Sequence, residues 1–177
     1  MLEIQRNRPF TANSRVLKNG KAIAELRFQD GKGQILYNGI SYEIASPLSL
    51  LPQFYLKQQN KTLFSLWRPR LVSLRFLLTA GDRSANPDTT YELVDPADLE
   101  PEKPFQVSLG FLKISADSPE QATHKVVLHQ GEAIGKVFWL SPSRRSPQPV
   151  VDLPDQVPLL TQLFMAWWMR HLALPSQ

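Results

Sequence analysis

VPLLTQLFMAWWMRHLAL, Val157 to Leu174, is the stretch on which the fold turns. Its periodicity is helical, yet too few of its positions are polar to cover half a helix's circumference, so most of its sides must be buried in protein or lipid. From Asp155 to Ala173 such a helix runs roughly 28 Å at 1.5 Å per residue, near the thickness of a bilayer core. Length alone therefore decides nothing. Thr161 and Gln162 interrupt the apolar run and Arg170 and His171 close it. They leave about seven consecutive apolar residues, Leu163 to Met169, against the roughly 20 that a span prefers. The expectation is a buried helix in a chain that is not transmembrane.

Upstream of the helix, short alternating segments read as half-buried strands. The clearest are Ala22, Ala24, Leu26 and Phe28; Ile40, Tyr42 and Ile44; and Val72, Leu74, Phe76 and Leu78, each interleaved with polar residues. Asn19-Gly20, Asn38-Gly39 and Gln130-Gly131 suit two-residue hairpin turns with positive φ. Counting outward from these turns gives about twelve strands, near residues 2–6, 14–18, 22–28, 34–37, 40–45, 54–58, 62–67, 71–79, 90–94, 105–114, 124–129 and 133–140. A connector with three prolines, SPSRRSPQP (Ser141–Pro149), reads as extended up to residue 154, and Asp155 reads as the helix N-cap. The chain reads as one domain, residues 1–177.

An internal repeat sharpens this picture. VLKNGKAIAELRF (Val16–Phe28) aligns without a gap to VLHQGEAIGKVFW (Val127–Trp139), which suggests two pseudo-repeated halves. A barrel abolishes sheet edges, but one wider than about eight strands leaves a hole that side chains cannot fill. Leu159, Leu160, Leu163, Phe164, Met165, Trp167 and Trp168 would fill it. The predicted fold is mainly β, an antiparallel closed barrel of about twelve strands enclosing a C-terminal hydrophobic helix.

The strand count, the repeated hairpin and the terminal helix introduced by DLPDQVPLL (Asp152–Leu160) resemble the tubby C-terminal-like superfamily, which includes the phospholipid scramblases and the plant LURP-one-related proteins. The resemblance spans nearly the whole chain as architecture and pattern, with no diagnostic short motif. It implies a closed barrel wrapped around the helix, and it brings lipid binding into view, since tubby domains hold phosphoinositides through basic residues. No residue of that site carries over by position. The scramblases' cysteine-rich stretch has no counterpart here, because the chain has no cysteine, and Asp95 to Glu102 lacks a calcium-loop pattern.

Composition narrows the partners. Residues 1–83 hold thirteen Lys/Arg against five Asp/Glu, or +8; residues 84–177 hold seven against eleven, or −4, giving the net +4. A basic half suits phosphate or a lipid head group. KQQNKTLFSLWRPR (Lys57–Arg70) is the most suggestive segment, its Lys57, Lys61, Arg68 and Arg70 forming a candidate anion-binding patch beside Trp67. Arg144 and Arg145 could join it only if the fold brings them there. A nucleic-acid role is disfavoured, since the aromatics sit at core-like alternating positions.

Chemistry is sparse. There is no Gly-x-Ser-x-Gly elbow, P-loop or dinucleotide fingerprint, and a turn explains Asp30-Gly31-Lys32-Gly33. His124 and His129 fall on opposite strand faces, and His171 lies where helix C-terminal carbonyls gather. Neither a cofactor nor a metal is expected. The opening MLEIQRNRPF lacks the apolar core of a secretory signal, so a cytoplasmic chain is expected, with a peripheral place at a membrane open to it. The favoured function is a noncatalytic binding module for an anionic ligand or membrane surface. The rival is a protein-interaction scaffold, which exposed apolar residues around Leu48 to Leu51 would favour.

Overall fold

The computed structural model describes residues 1–7, 13–29, 32–69, 75–81, 87–99, 124–140 and 148–172. Twelve strands and one α-helix occur among them: β1 (Leu2–Arg6), β2 (Ser14–Lys18), β3 (Lys21–Gln29), β4 (Lys32–Tyr37), β5 (Ile40–Ala45), β6 (Gln53–Gln58), β7 (Lys61–Trp67), β8 (Phe76–Ala80), β9 (Thr90–Val94), β10 (His124–His129), β11 (Glu132–Trp139), β12 (Pro149–Asp152) and α1 (Leu159–Leu172). Every strand pairs antiparallel with its sequence neighbour, and β1 closes the ring on β12 through Leu2 opposite Val151.

Register follows the apolar alternation. Leu26, Ile35 and Tyr42 face one another across β3, β4 and β5, and Phe54, Leu66 and Leu78 do so across β6, β7 and β8. A one-residue slip would turn these side chains outward, so the buried face specifies the pairing. The inward rows enclose α1. Thr161 through Arg170 are all buried, an unbroken run longer than two helical turns, so the helix has no exposed side over that length.

The tight turns gather at one end. Asn19-Gly20, Asn38-Gly39 and Gln130-Gly131 have positive φ at both residues, as the sequence predicts, and so does Gln59-Asn60, which contains no glycine. Beside three of these turns the register slips by one residue, between Val16 and Leu17, Leu56 and Lys57, and Val127 and Leu128. Each slip begins three residues before its turn. The repeated hairpin is therefore a bulged hairpin with three copies, β2–β3, β6–β7 and β10–β11, set four strands apart, where residue identity reveals only two. The opposite end of the barrel carries most of the longer connections, including residues 46–52 between β5 and β6.

The structure corrects two boundaries. Residues 149–152, expected as connector, are the strand that closes the barrel. The expected strand at 105–114 and residues 71–74 of the expected strand at 71–79 lie outside the described residues. The helix begins at Leu159 rather than Asp155, because Pro154 and Pro158 keep the lead-in irregular. Asp155 does not serve as the N-cap; its carboxylate accepts from Lys18 Nζ at 2.7 Å, while the Gln162 side-chain amide donates to the Val157 carbonyl at 2.9 Å.

Candidate functional site

Strand direction gives the barrel two unlike ends. β12 stops at the tight-turn end, so α1 starts there and its last turns reach the long-loop end. Gly33, at the start of β4, leaves room for Trp167: a methyl group on it would come 2.4 Å from the indole. Trp167 stacks on Phe28 at 5.4 Å between centroids and meets Phe54 edge-on at 5.6 Å. His171 stacks on the same indole at 5.1 Å, and Trp168 lies 4.7 Å from Phe76.

The predicted basic patch is divided between the two ends. Lys57 is half-buried on β6, with Glu43 opposite it on β5, and Lys61 is exposed at the start of β7. Both flank the Gln59-Asn60 turn. Arg68 lies beyond the far end of β7, roughly 23 Å away for seven residues of strand. Arg70, Arg144 and Arg145 lie outside the described residues. Among the apolar residues of the segment, Leu66 is fully buried and Phe64 and Trp67 are half-buried, so this hairpin serves the core.

Two features mark the long-loop end instead. The first is the β5–β6 connection, SPLSLLP (Ser46–Pro52). Leu48 is 106% exposed and Leu50 90% exposed, while the Ser49 hydroxyl accepts from the Leu51 backbone N–H at 3.3 Å. The loop is tied to β7 where the Arg68 N–H donates to the Pro52 carbonyl at 3.2 Å. Around it, cations outnumber acids among the described residues. Arg27 holds Glu25 at 3.1 Å, Arg75 holds Glu92 at 3.0 Å and Lys125 holds Asp95 at 3.1 Å, so each of these acids is already engaged. Arg6, Lys32 and Arg68 add positive charge at the same end.

The second feature is Arg170. The sequence shows it only as a basic residue interrupting an apolar helix near its end, yet it is 1% exposed. Its Nε donates to Ser14 Oγ at 3.2 Å, and Ser14 is the register partner of Arg6. Leu2 and Ile4 point inward, and the alternation of β1 turns Arg6 to the same face. Burial, and then the charge of Arg6, pull the Arg170 guanidinium down to about 10, below the usual arginine range.

The remaining candidates are quiet. His129 Nδ1 lies 3.0 Å from the Thr90 carbonyl and its ring stacks on Tyr91. Among the described residues no group of three or more histidines and acids is placed to hold a metal ion. No helix of the described residues is long and apolar enough to cross a membrane. No family model matches the chain, and neither curated proteins nor solved structures show a significant match to it.

Proposed function

We propose that the protein is a noncatalytic binding module that engages an anionic membrane surface with its long-loop end. The observation that carries this reading is the exposure of Leu48 and Leu50 on a short loop tied to Arg68. Leucines beside cations suit the boundary between head groups and acyl chains. Magnitudes show why both are needed. A basic residue near an anionic surface contributes about 1 kcal/mol, so Arg27, Lys32 and Arg68 together give about 3 kcal/mol, weaker than millimolar binding. Burying two leucines adds about 3–4 kcal/mol and brings the affinity near the micromolar range. The resemblance to tubby-like proteins points the same way.

Co-sedimentation with vesicles of phosphatidylcholine, with and without phosphatidylserine, at physiological salt tests it. Wild type is expected to pellet with the anionic vesicles and L48S/L50S to bind them at least fivefold more weakly. K57Q/K61Q, altered at the opposite end, should match wild type. A wild-type protein that stays in the supernatant with both vesicles sinks the proposal.

The same leucines support a second reading, a protein-interaction scaffold whose partner covers the β5–β6 loop. Under it, vesicle binding is absent and L48S/L50S loses a partner that wild type retains in a pull-down from the native host.

A further inference from the structure

Among the described residues, the long-loop half of the barrel buries Arg170 and half-buries Arg6 with no acid paired to either. Arg170 Nη1 and Nη2 and Arg6 Nε are buried without a hydrogen-bond partner. Neither guanidinium forms an ion pair with an acid of the described residues; the ion pairs at that end are Arg27–Glu25, Arg75–Glu92 and Lys125–Asp95. Buried charges in folded proteins are ordinarily paired, because the cost of taking an ion out of water is otherwise uncompensated. Here two cations share one interior face, and Arg170 Nε donates to a neutral serine hydroxyl rather than to a carboxylate.

Most of the other unpartnered groups at this end are donors too, the exception being the amide oxygen Asn7 Oδ1. Trp139, Trp167 and Trp168 each leave a buried indole N–H without an acceptor, and all three lie toward the end where Arg6 and Arg170 meet. An arginine and an indole offer only donors, so N–H groups outnumber acceptors among the unpartnered atoms of this region. The complementary guest is rich in acceptors and negatively charged. Arginine's planar fork further selects an oxyanion with two oxygens on one edge, which carboxylate and phosphate groups provide.

We propose that Arg170 and Arg6, with Ser14 between them, form an internal binding site for one oxyanion group, a carboxylate or a phosphate, in the long-loop half of the barrel. The site is independent of the membrane reading: it lies inside the barrel, needs neither Leu48 nor Leu50, and binds its anion without vesicles. A guest there bridges the end of β1, the start of β2 and the last turn of α1. It therefore fastens the helix to the strand pair that neighbours the β1–β12 closure.

Thermal unfolding and calorimetry of the full-length chain test this, with sodium phosphate, sodium acetate or sodium chloride as probe at constant ionic strength in a zwitterionic buffer. Phosphate or acetate should raise the melting temperature of wild type saturably, and chloride should not. Which of the two acts at lower concentration distinguishes a phosphate from a carboxylate guest. R170M keeps the length and apolar stem of the side chain and removes the charge. It should bind the effective anion at least tenfold more weakly, yet melt no lower than wild type in anion-free buffer, because an apolar replacement of an uncompensated buried charge is tolerated. R6Q should fold and bind more weakly than wild type. A structural role for Arg170 predicts the opposite pattern, with R170M melting lower and the response to anions retained. That pattern, or a wild type that responds equally to all three salts, overturns the proposal. R170M and R6Q that both bind like wild type overturn it as well.

Discussion

Gly33 shows how a single residue fixes the helix inside the barrel. It sits on β4 against the face of Trp167, where a methyl group would meet three indole atoms at 2.4–2.5 Å. The contact is with a large ring held by Phe28, Phe54 and His171, so neither side has room to yield. Overpacking of this kind costs about 1–3 kcal/mol. G33A should lose about 2 kcal/mol in urea unfolding, and G33A/W167L should lose less than the sum of the two single changes, since the smaller side chain relieves the clash. Additivity would show that the two residues do not touch. His171, on the same indole, gives a pH test. Burial holds its imidazole below the usual 6.5, so the unfolded chain takes up the proton first as pH falls. The histidine's contribution is complete above pH 6.5 and declines below it. H171Q should remove that part of the acid slope when urea midpoints are compared between pH 5 and 8; an unchanged slope would mean that the ring titrates as if in water. Neither feature is legible in the sequence. Asp30-Gly31-Lys32-Gly33 reads as a turn, and only the three-dimensional approach of the helix reveals why Gly33 has no side chain.

Among the elements, α1 is the most legible and β12 the least. The helix declares itself by apolar density, and five of its large side chains, Leu163, Phe164, Met165, Trp167 and Trp168, are buried as the sequence predicts. β12 is four residues long, begins with proline and follows a proline-rich connector, so composition conceals it. Its position between β11 and β1 is a long-range fact that no local pattern states. The same holds for the candidate site, because Arg6, Ser14 and Arg170 come together only through pairing of β1 with β2 and passage of the helix behind them. This distinction matters for testing the helix. Truncation at Pro149 would also remove nearly all of β12, whereas a chain ending at Leu153 keeps the ring of strands and removes only the plug. At about 2 kcal/mol per buried large side chain the five contribute on the order of 10 kcal/mol, comparable with the net stability of a domain. The chain of residues 1–153 should show no cooperative unfolding transition and should bind a hydrophobic dye. A sharp transition in that variant would mean that the strands close without the helix.

At the scale of the whole molecule, the ring of strands was legible as a class because the alternation and the tight turns repeat along the chain, whereas its closing partner was not. That closure joins Leu2 to Val151, positions near opposite ends of the sequence. All other strand pairings are between sequence neighbours and can form locally, but each hairpin exposes an apolar inner face until the ring and the helix cover it. Short hairpins are marginal alone in water, and their shared core is the helix. The inner residues of β1 through β12 belong to one continuous cluster with those of α1, which leaves no seam along which one part could unfold while the rest stayed native. Unfolding should therefore be a single event despite the length of the chain. Far-ultraviolet circular dichroism follows the strands, tryptophan fluorescence in a W67F/W139F background follows Trp167 and Trp168, and size-exclusion volume follows compactness; the three urea midpoints should coincide. Folding should be slow relative to helical domains of similar size, since the closing contact spans almost the full chain. Separate midpoints for fluorescence and circular dichroism would show that the helix leaves before the barrel opens, and the plug would then be a detachable element rather than the core around which the strands close.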